Sequence, residues 1–485
     1  MTGPAQSLLV LDVGTSGVRA AIVRPDATVD HVHYRQTLPS SPAPGFVEFD
    51  PAIMRDAVLD VARAALAAVG GAVGAVGVTN QRASTIVWDR ATGQAVGPGV
   101  GWQDLRTAGM CLALREQGLR LAPNLSATKL AFLLDMVDPD RRRDLCFGTV
   151  DSWVVWALTE GRAHVTDLTN AGVTGLVDGH GTGWDPTVLD ALRIPVTVLP
   201  RIVDSSGVIG HATALAGEPP IAGVAGDQQA SLLGQGCTRP GQAKATFGTG
   251  AMLDLTLGPR PAFAIRGDAG TFPVVAWRLD GEITWGIEAI MLAAGTNVEW
   301  MRDDLGVVTS AAASHEVASR CAHTGGVVFV PALVGLGTPA WDYGARGALL
   351  GVTLATGRPE VVRAVLEGVA QRGADLVEAA EADSGLGVPS LRVDGGMSAN
   401  PTFLQALADA AQRPIEVSPV AEATTLGAAF LAGLATGTWT DLDEIGATWA
   451  PVDIVEPRST TDRERWRDAC RRASGWLPEL SAIEF

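Results

Sequence analysis

Carboxylate and amide side chains at the end of an apolar run are placed for chemistry rather than for packing. In "AGVAGDQQA" (222–230) a segment that reads as a buried strand stops at Asp227, Gln228 and a second glutamine. A carboxylate held at a strand end inside a cleft is placed to act as a general base. "DVGTSGVR" (12–19) is a second such stretch. It lacks the G-K-[ST] ending of a Walker A loop and turns between strands rather than into a helix. Gly14 and Gly17 let backbone N–H groups approach an anion. Thr15 and Ser16 add hydroxyl donors, Arg19 adds a fixed positive charge, and Asp12 offers a carboxylate of the kind that holds hydrated magnesium.

"FGTG" (247–250), with Gly248 and Thr249, is a second glycine-threonine turn, so two hairpins can grip one polyphosphate from both sides. "DGGMSAN" (394–400) offers a flat glycine surface for a base or ribose at Gly396, although Asn400 before Pro401 is also a good helix cap. "TNQRASTIVW" (79–88) puts Arg82 just past a strand, where its fork of donors can meet a hydroxylated ligand. Trp102 in "VGWQDLRT" offers an apolar plate to the carbon side of a small polyol, or simply a core side chain.

Positioning these groups takes two α/β units. The 485 residues exceed a single core, and 47% hydrophobic against 18% charged residues describes a large interior. "SLLVLDVGTSGVRAAIV" and "QAKATFGTGAMLDLTL" both read as strand, glycine turn, strand. "FDPAIMRDAVLDVARAALAAVGG" reads as a helix capped by Asp50, with Pro51 in its first turn and Gly70 closing it. Its apolar face is Ile53, Met54, Ala57, Val58, Val61 and Ala65. "PEVVRAVLEGVAQRGADLVEAAEA" presents Val362, Val365, Leu366 and Val369 in the same way. A boundary near "LLGQGC" divides the chain into residues 1–236 and 237–485 around a hinged cleft.

Composition excludes some partners. With 36 Lys and Arg against 53 Asp and Glu, the net charge of −17 gives no basic excess for nucleic acid. "AALAAVGGAVGAVGV" (64–78) is too short and too rich in glycine to span a membrane, and "MTGPAQ" has no leader character. Cys111, Cys146, Cys237, Cys321 and Cys470 form no C-x-x-C, which points to a reducing, cytoplasmic setting without a zinc site. His31 and His33 read as exposed strand residues.

The motifs, in order, resemble the FGGY family of carbohydrate kinases, closest to its glycerol kinase branch. "LDVGTSGVRA", "TNQRASTIVWDRATG", "FGTVDSW", "GVAGDQQA", "FGTG", "PALVGLGTPAWDYGARGALLGVT" and "LRVDGGMSAN" carry the resemblance across nearly the whole chain. It implies two actin-like (ribonuclease H-like) domains around an ATP and substrate cleft. It also implies transfer of the γ-phosphoryl of ATP, with Mg2+, to a primary hydroxyl of a small polyol or sugar, in a homodimer or homotetramer.

Residue by residue, Asp227 would be the general base, and Arg82, Trp102 and Gln228 would contact the acceptor. Thr15, Ser16, Gly17, Arg19, Gly248 and Thr249 would face the phosphates, and Gly295, Gly396 and Asn400 the nucleoside. Glu299 stands where the branch often has glutamine. Departures concentrate at the acceptor: Ala83 replaces a glutamate that accepts substrate hydroxyls, and Asn124 stands where a tyrosine is expected. They suggest a larger polyol or ketose as the alternative acceptor. "HATALAGEPP" (211–220) stands where the branch's glycine-rich loop for fructose bisphosphate would be. An ATPase of the actin and chaperone kind shares the two-hairpin clamp but has no use for the second polar cluster, "TNQR" with "GDQQ".

Overall fold

A computed structural model describes residues 6–420 and 422–483. The "MTGPAQ" reading falls largely on residues 1–5, outside the described residues. The first sheet begins with the glycine-turn hairpin, strands β1 (Leu8–Val13) and β2 (Gly17–Val23), followed by β3 (Val29–Gln36) on the edge. Helix α1 (Pro51–Ala68) starts as its sequence predicts. Pro51 occupies the first turn, and the Asp50 carboxylate accepts from the amides of Ala52 and Ile53. Met54, Ala57, Val58, Val61 and Ala65 are buried, but Ile53 is 52% exposed. The buried stripe extends to Ala62 and Leu66 instead, on the side away from Ile53, which faces solvent. Residues 64–78 are the end of α1, a glycine turn and β4 (Val76–Asn80).

β5 (Ser206–His211) and β6 (Pro220–Gly226) complete a sheet of order β5-β6-β4-β1-β2-β3. β1 pairs in parallel with β4, and β4 with β6, so all three point their C-terminal ends the same way. That rim is where polar loops gather in parallel sheets. α2 (Ser126–Val137) packs in a separate hydrophobic cluster built from residues between β4 and β5, and α3 (Asp227–Gly234) leaves directly from β6.

The second sheet repeats the plan. β7 (Ala243–Phe247) and β8 (Ala251–Gly258) form its hairpin, and β9 (Phe272–Leu279) and β10 (Glu282–Met291) extend it antiparallel. After α4 (Thr296–Asp303) and α5 (Arg358–Ser384) come β11 (Leu391–Asp394), α6 (Pro401–Ala411), β12 (Ile415–Val417), α7 (Ala423–Thr436) and β13 (Asp453–Val455). The order is β9-β10-β8-β7-β11-β12-β13, with parallel pairs at β7/β11 and β11/β12. Without β9, it is the first sheet's arrangement strand for strand, the duplicated mixed sheet of an actin-like fold.

Both faces of β1 are covered. Leu9, Leu11 and Val13 pack with α1, while Leu8 and Val10 share a core with Ala428 and Phe430 of α7. α7 thus follows the second sheet in the chain yet packs on β1, β4 and β6 of the first. It crosses α3 at very close range: a Cβ on Gly234 would lie 1.8 Å from the Ala423 carbonyl, and one on Gly427 1.8 Å from that of Ala230. Among the described residues no helix is long and apolar enough to cross a membrane.

Candidate active site

Asp227 is the first residue of α3, one step past the end of β6, and its carboxylate accepts from the backbone N–H of Gln228 at 2.8 Å. Arg82 follows β4, the parallel neighbour of β6, so two adjacent strand ends bring the pair together. Arg82 Nε lies 3.2 Å from Asp227 Oδ1, its Nη2 donates to Glu288 Oε2 at 2.7 Å, and its Nη1 reaches Gln229 Oε1 at 3.5 Å. Burial opposes the charge on Arg82, but Glu288, Asp227 and Asp254 outweigh it and hold the guanidinium above its ordinary pKa. Burial raises the Asp227 carboxyl, and Arg82 partly offsets that. A raised carboxylate beside a fixed cation is a competent proton acceptor.

The first hairpin lies against this pair. Trp102 Nε1 donates to Thr15 Oγ1 at 3.1 Å, tying the predicted acceptor plate to the predicted phosphate turn. Gly17 is required for packing as well as for an open turn, because a Cβ there would meet the Tyr34 hydroxyl at 2.3 Å. Ser16 is exposed at the tip. Arg19 donates to Glu422, and its Nη1 is 3.8 Å from Asp12 Oδ2. Asp12 is pushed up to about 7 by burial; Arg19 opposes this, while Asp227 and Glu422 add to it. Among the described residues no group of three His, Cys, Asp or Glu could cage a metal. One buried carboxylate with a second close enough to repel it suits magnesium, which keeps its waters and is shared with phosphate oxygens. His31 and His33 lie on the edge strand β3.

The second hairpin turns at Gly248 and Thr249, and the segment before α4 is bonded to it. Gly295 N donates to the Gly248 carbonyl at 2.8 Å, and Ala294 N to that of Thr249 at 2.7 Å. Glu299, in the first turn of α4, is exposed. Gly396 is exposed with open space over its Cα. Asn400 caps α6 by accepting from Phe403 N at 3.1 Å and donates to Ser314 Oγ at 2.9 Å, which confirms the capping reading.

Ala83 is buried with φ of 57°, and its carbonyl accepts from Ser126 Oγ at 3.0 Å. The Asn124 side chain is exposed, while its carbonyl accepts from the buried Lys129 at 3.0 Å. Sequence reasoning missed the charges behind this cluster: the buried Lys244, Asp254 and Glu288 and, at Arg19, the half-buried Glu422. A signal existed for two of them. Lys244 and Asp254 lie equally far on either side of Thr249, so a hairpin turning through residues 248–250 pairs them. Glu288 stands in an otherwise apolar stretch after Glu282, and nothing local names its partner.

Residues 7–234 match the model of the FGGY family of carbohydrate kinases, N-terminal domain, and residues 243–436 that of its C-terminal domain. A glycerol kinase of Aromatoleum aromaticum is 42% identical over 97% of this chain and 99% of its own length. Glycerol kinase 2 of Thermotoga maritima is 40% identical over the same shares. The crystal structure of Plasmodium falciparum glycerol kinase with ADP superposes with a TM-score of 0.89, at 26% identity, covering 99% of both chains. With two mixed sheets built on one plan, and both family models matched in order, the chain belongs to the FGGY family of carbohydrate kinases.

Proposed function

We propose that the enzyme transfers the γ-phosphoryl group of ATP to a primary hydroxyl of a small polyol of the glycerol class, with Asp227 as general base. The observation that carries this is the Asp227–Arg82 contact of 3.2 Å at the strand ends of the first sheet. Arg82 and Gln228 hold the acceptor, and Trp102 covers its carbon side. Asp227 takes the hydroxyl proton as the oxygen attacks phosphorus, and ADP leaves. Thr15, Ser16, Gly17 and Arg19 meet the phosphates from one side, and Gly248 and Thr249 from the other. Gly295, Glu299, Gly396 and Asn400 border the nucleoside. Asp12 would hold magnesium, which neutralises charge on the phosphates. Most of the rate then comes from positioning and charge neutralisation.

The division into residues 1–236 and 237–485 belongs to this reading, with substrate and catalytic base on the first unit and nucleotide on the second. So do a cytoplasmic location, supported by five free cysteines, and a homodimer or homotetramer. A second reading, a four- or five-carbon polyol or ketose as the preferred acceptor, is favoured by Ala83, whose methyl group accepts no hydrogen bond. ADP release measured over glycerol, tetritols, pentitols and ketopentoses tests both. Acceptor-dependent turnover supports phosphoryl transfer, and ATP turnover indifferent to any acceptor would refute it.

A further inference from the structure

Three charged residues stand in a row across the second sheet. Lys244 of β7 is directly opposite Asp254 of β8, and Asp254 is directly opposite Glu288 of β10. Residues directly opposite one another share a face of the sheet. The side chains are 0%, 3% and 8% exposed. Burying three charges in a strand layer is a poor way to gain stability, because desolvation offsets their attraction. The row touches the acceptor cluster at both ends. At one end Glu288 accepts from Arg82. At the other, Lys244 Nζ donates to Gln228 Oε1 at 2.7 Å and to Thr246 Oγ1 at 3.2 Å, and forms an ion pair with Asp254 Oδ2 at 2.8 Å.

An ammonium group can only donate, so the Gln228 atom it meets is the amide oxygen. Only the NH2 of Gln228 then remains for a ligand. Without a partner at the oxygen, the amide could turn over and present either edge.

We propose that Lys244, held by Asp254, is a positioning residue that fixes the Gln228 amide with its N–H edge toward the acceptor. The acceptor site is thereby donor-rich: Arg82 and Gln228 both donate, and Asp227 is the group that accepts. Such a site binds the far oxygens of its substrate through their lone pairs, whether hydroxyl or carbonyl. This rests on the phosphoryl-transfer reading above.

The test replaces the buried pair with apolar residues, Lys244→Met with Asp254→Leu, and measures steady-state kinetics in the full-length enzyme. Exchanging a buried ion pair for apolar volume is often neutral for stability, so a retained melting transition is expected. The acceptor KM should rise about tenfold while the ATP KM stays within twofold. In a Gln228→Leu background the same pair should change the acceptor KM by less than twofold, because its route is already removed. If the first pair does not fold, Lys244→Leu with Asp254→Asn carries the same readouts. An unchanged acceptor KM, an equal rise in the ATP KM, or an undiminished effect in the Gln228→Leu background would each overturn the proposal. Wild-type enzyme without acceptor-dependent ADP release would instead refute the underlying reading.

Discussion

Arg82 and Glu288 are 206 residues apart in sequence and joined by a 2.7 Å hydrogen bond between the two sheets. The same guanidinium lies 3.2 Å from Asp227. The arginine is therefore shared between a structural carboxylate and the proposed base, and losing the base does not strand it.

That sharing separates catalysis from stability. Asp227→Asn leaves Arg82 paired with Glu288, so the thermal midpoint should hold while kcat falls by roughly the 10²–10⁴ expected for a missing base. ATP affinity, followed by nucleotide fluorescence, should stay within a few-fold. An asparagine variant turning over near the wild-type rate would remove Asp227 from the role.

Glu288→Ala should show the opposite profile. It leaves a buried guanidinium short of a partner, and breaking such a pair costs on the order of 3–5 kcal/mol. Urea unfolding would show the loss directly, and an unchanged midpoint would mean that the contact is not formed in solution.

Ala83 offers a test of acceptor preference. Ala83→Glu restores a hydrogen-bond acceptor beside Arg82, so kcat/KM for glycerol should rise relative to four- and five-carbon compounds by about tenfold. A shift toward the larger acceptors would show that the carboxylate points elsewhere.

Lys129 predicts a pH dependence of stability. Burial lowers its ammonium from 10.5 to about 7, and Asp104 only partly offsets that. Between these values the unfolded chain binds the extra proton, so this group adds stability as pH rises from about 7 toward 10.5. Urea midpoints of wild type and Lys129→Met at pH 7.5 and 9.5 should show the wild type gaining on the variant. Parallel changes in both proteins would exclude Lys129 as the source.

What the sequence made legible was local. Asp50 and Asn400 cap helices by reaching residues within three positions, and the glycine turns fold neighbouring strands together, so each could be read where it stood. The motif order carried the fold further, because each motif marks a strand end and the strand ends converge. The charges behind the site stayed hidden for the converse reason. Glu288 means nothing until β10 pairs with β8 and the two sheets meet, and Glu422 finds Arg19 across 403 residues. Ile53 was misplaced because a helical stripe read from one sequence leaves its rotation uncertain by about one residue in width, and only packing against β1 and β2 sets it.

The placement of α7 also orders the enzyme's birth. The face of β1 bearing Leu8 and Val10 is covered by residues 423–436, the last stretch matched by the family. During synthesis that apolar face leaves the ribosome early and waits for its cover. At roughly 5–20 residues per second, the interval from residue 226 to 436 is on the order of 10–40 s. The first sheet is thus made first but finished nearly last, and a nascent chain stalled before α7 presents a bare strand layer to whatever chaperone stands at the tunnel exit.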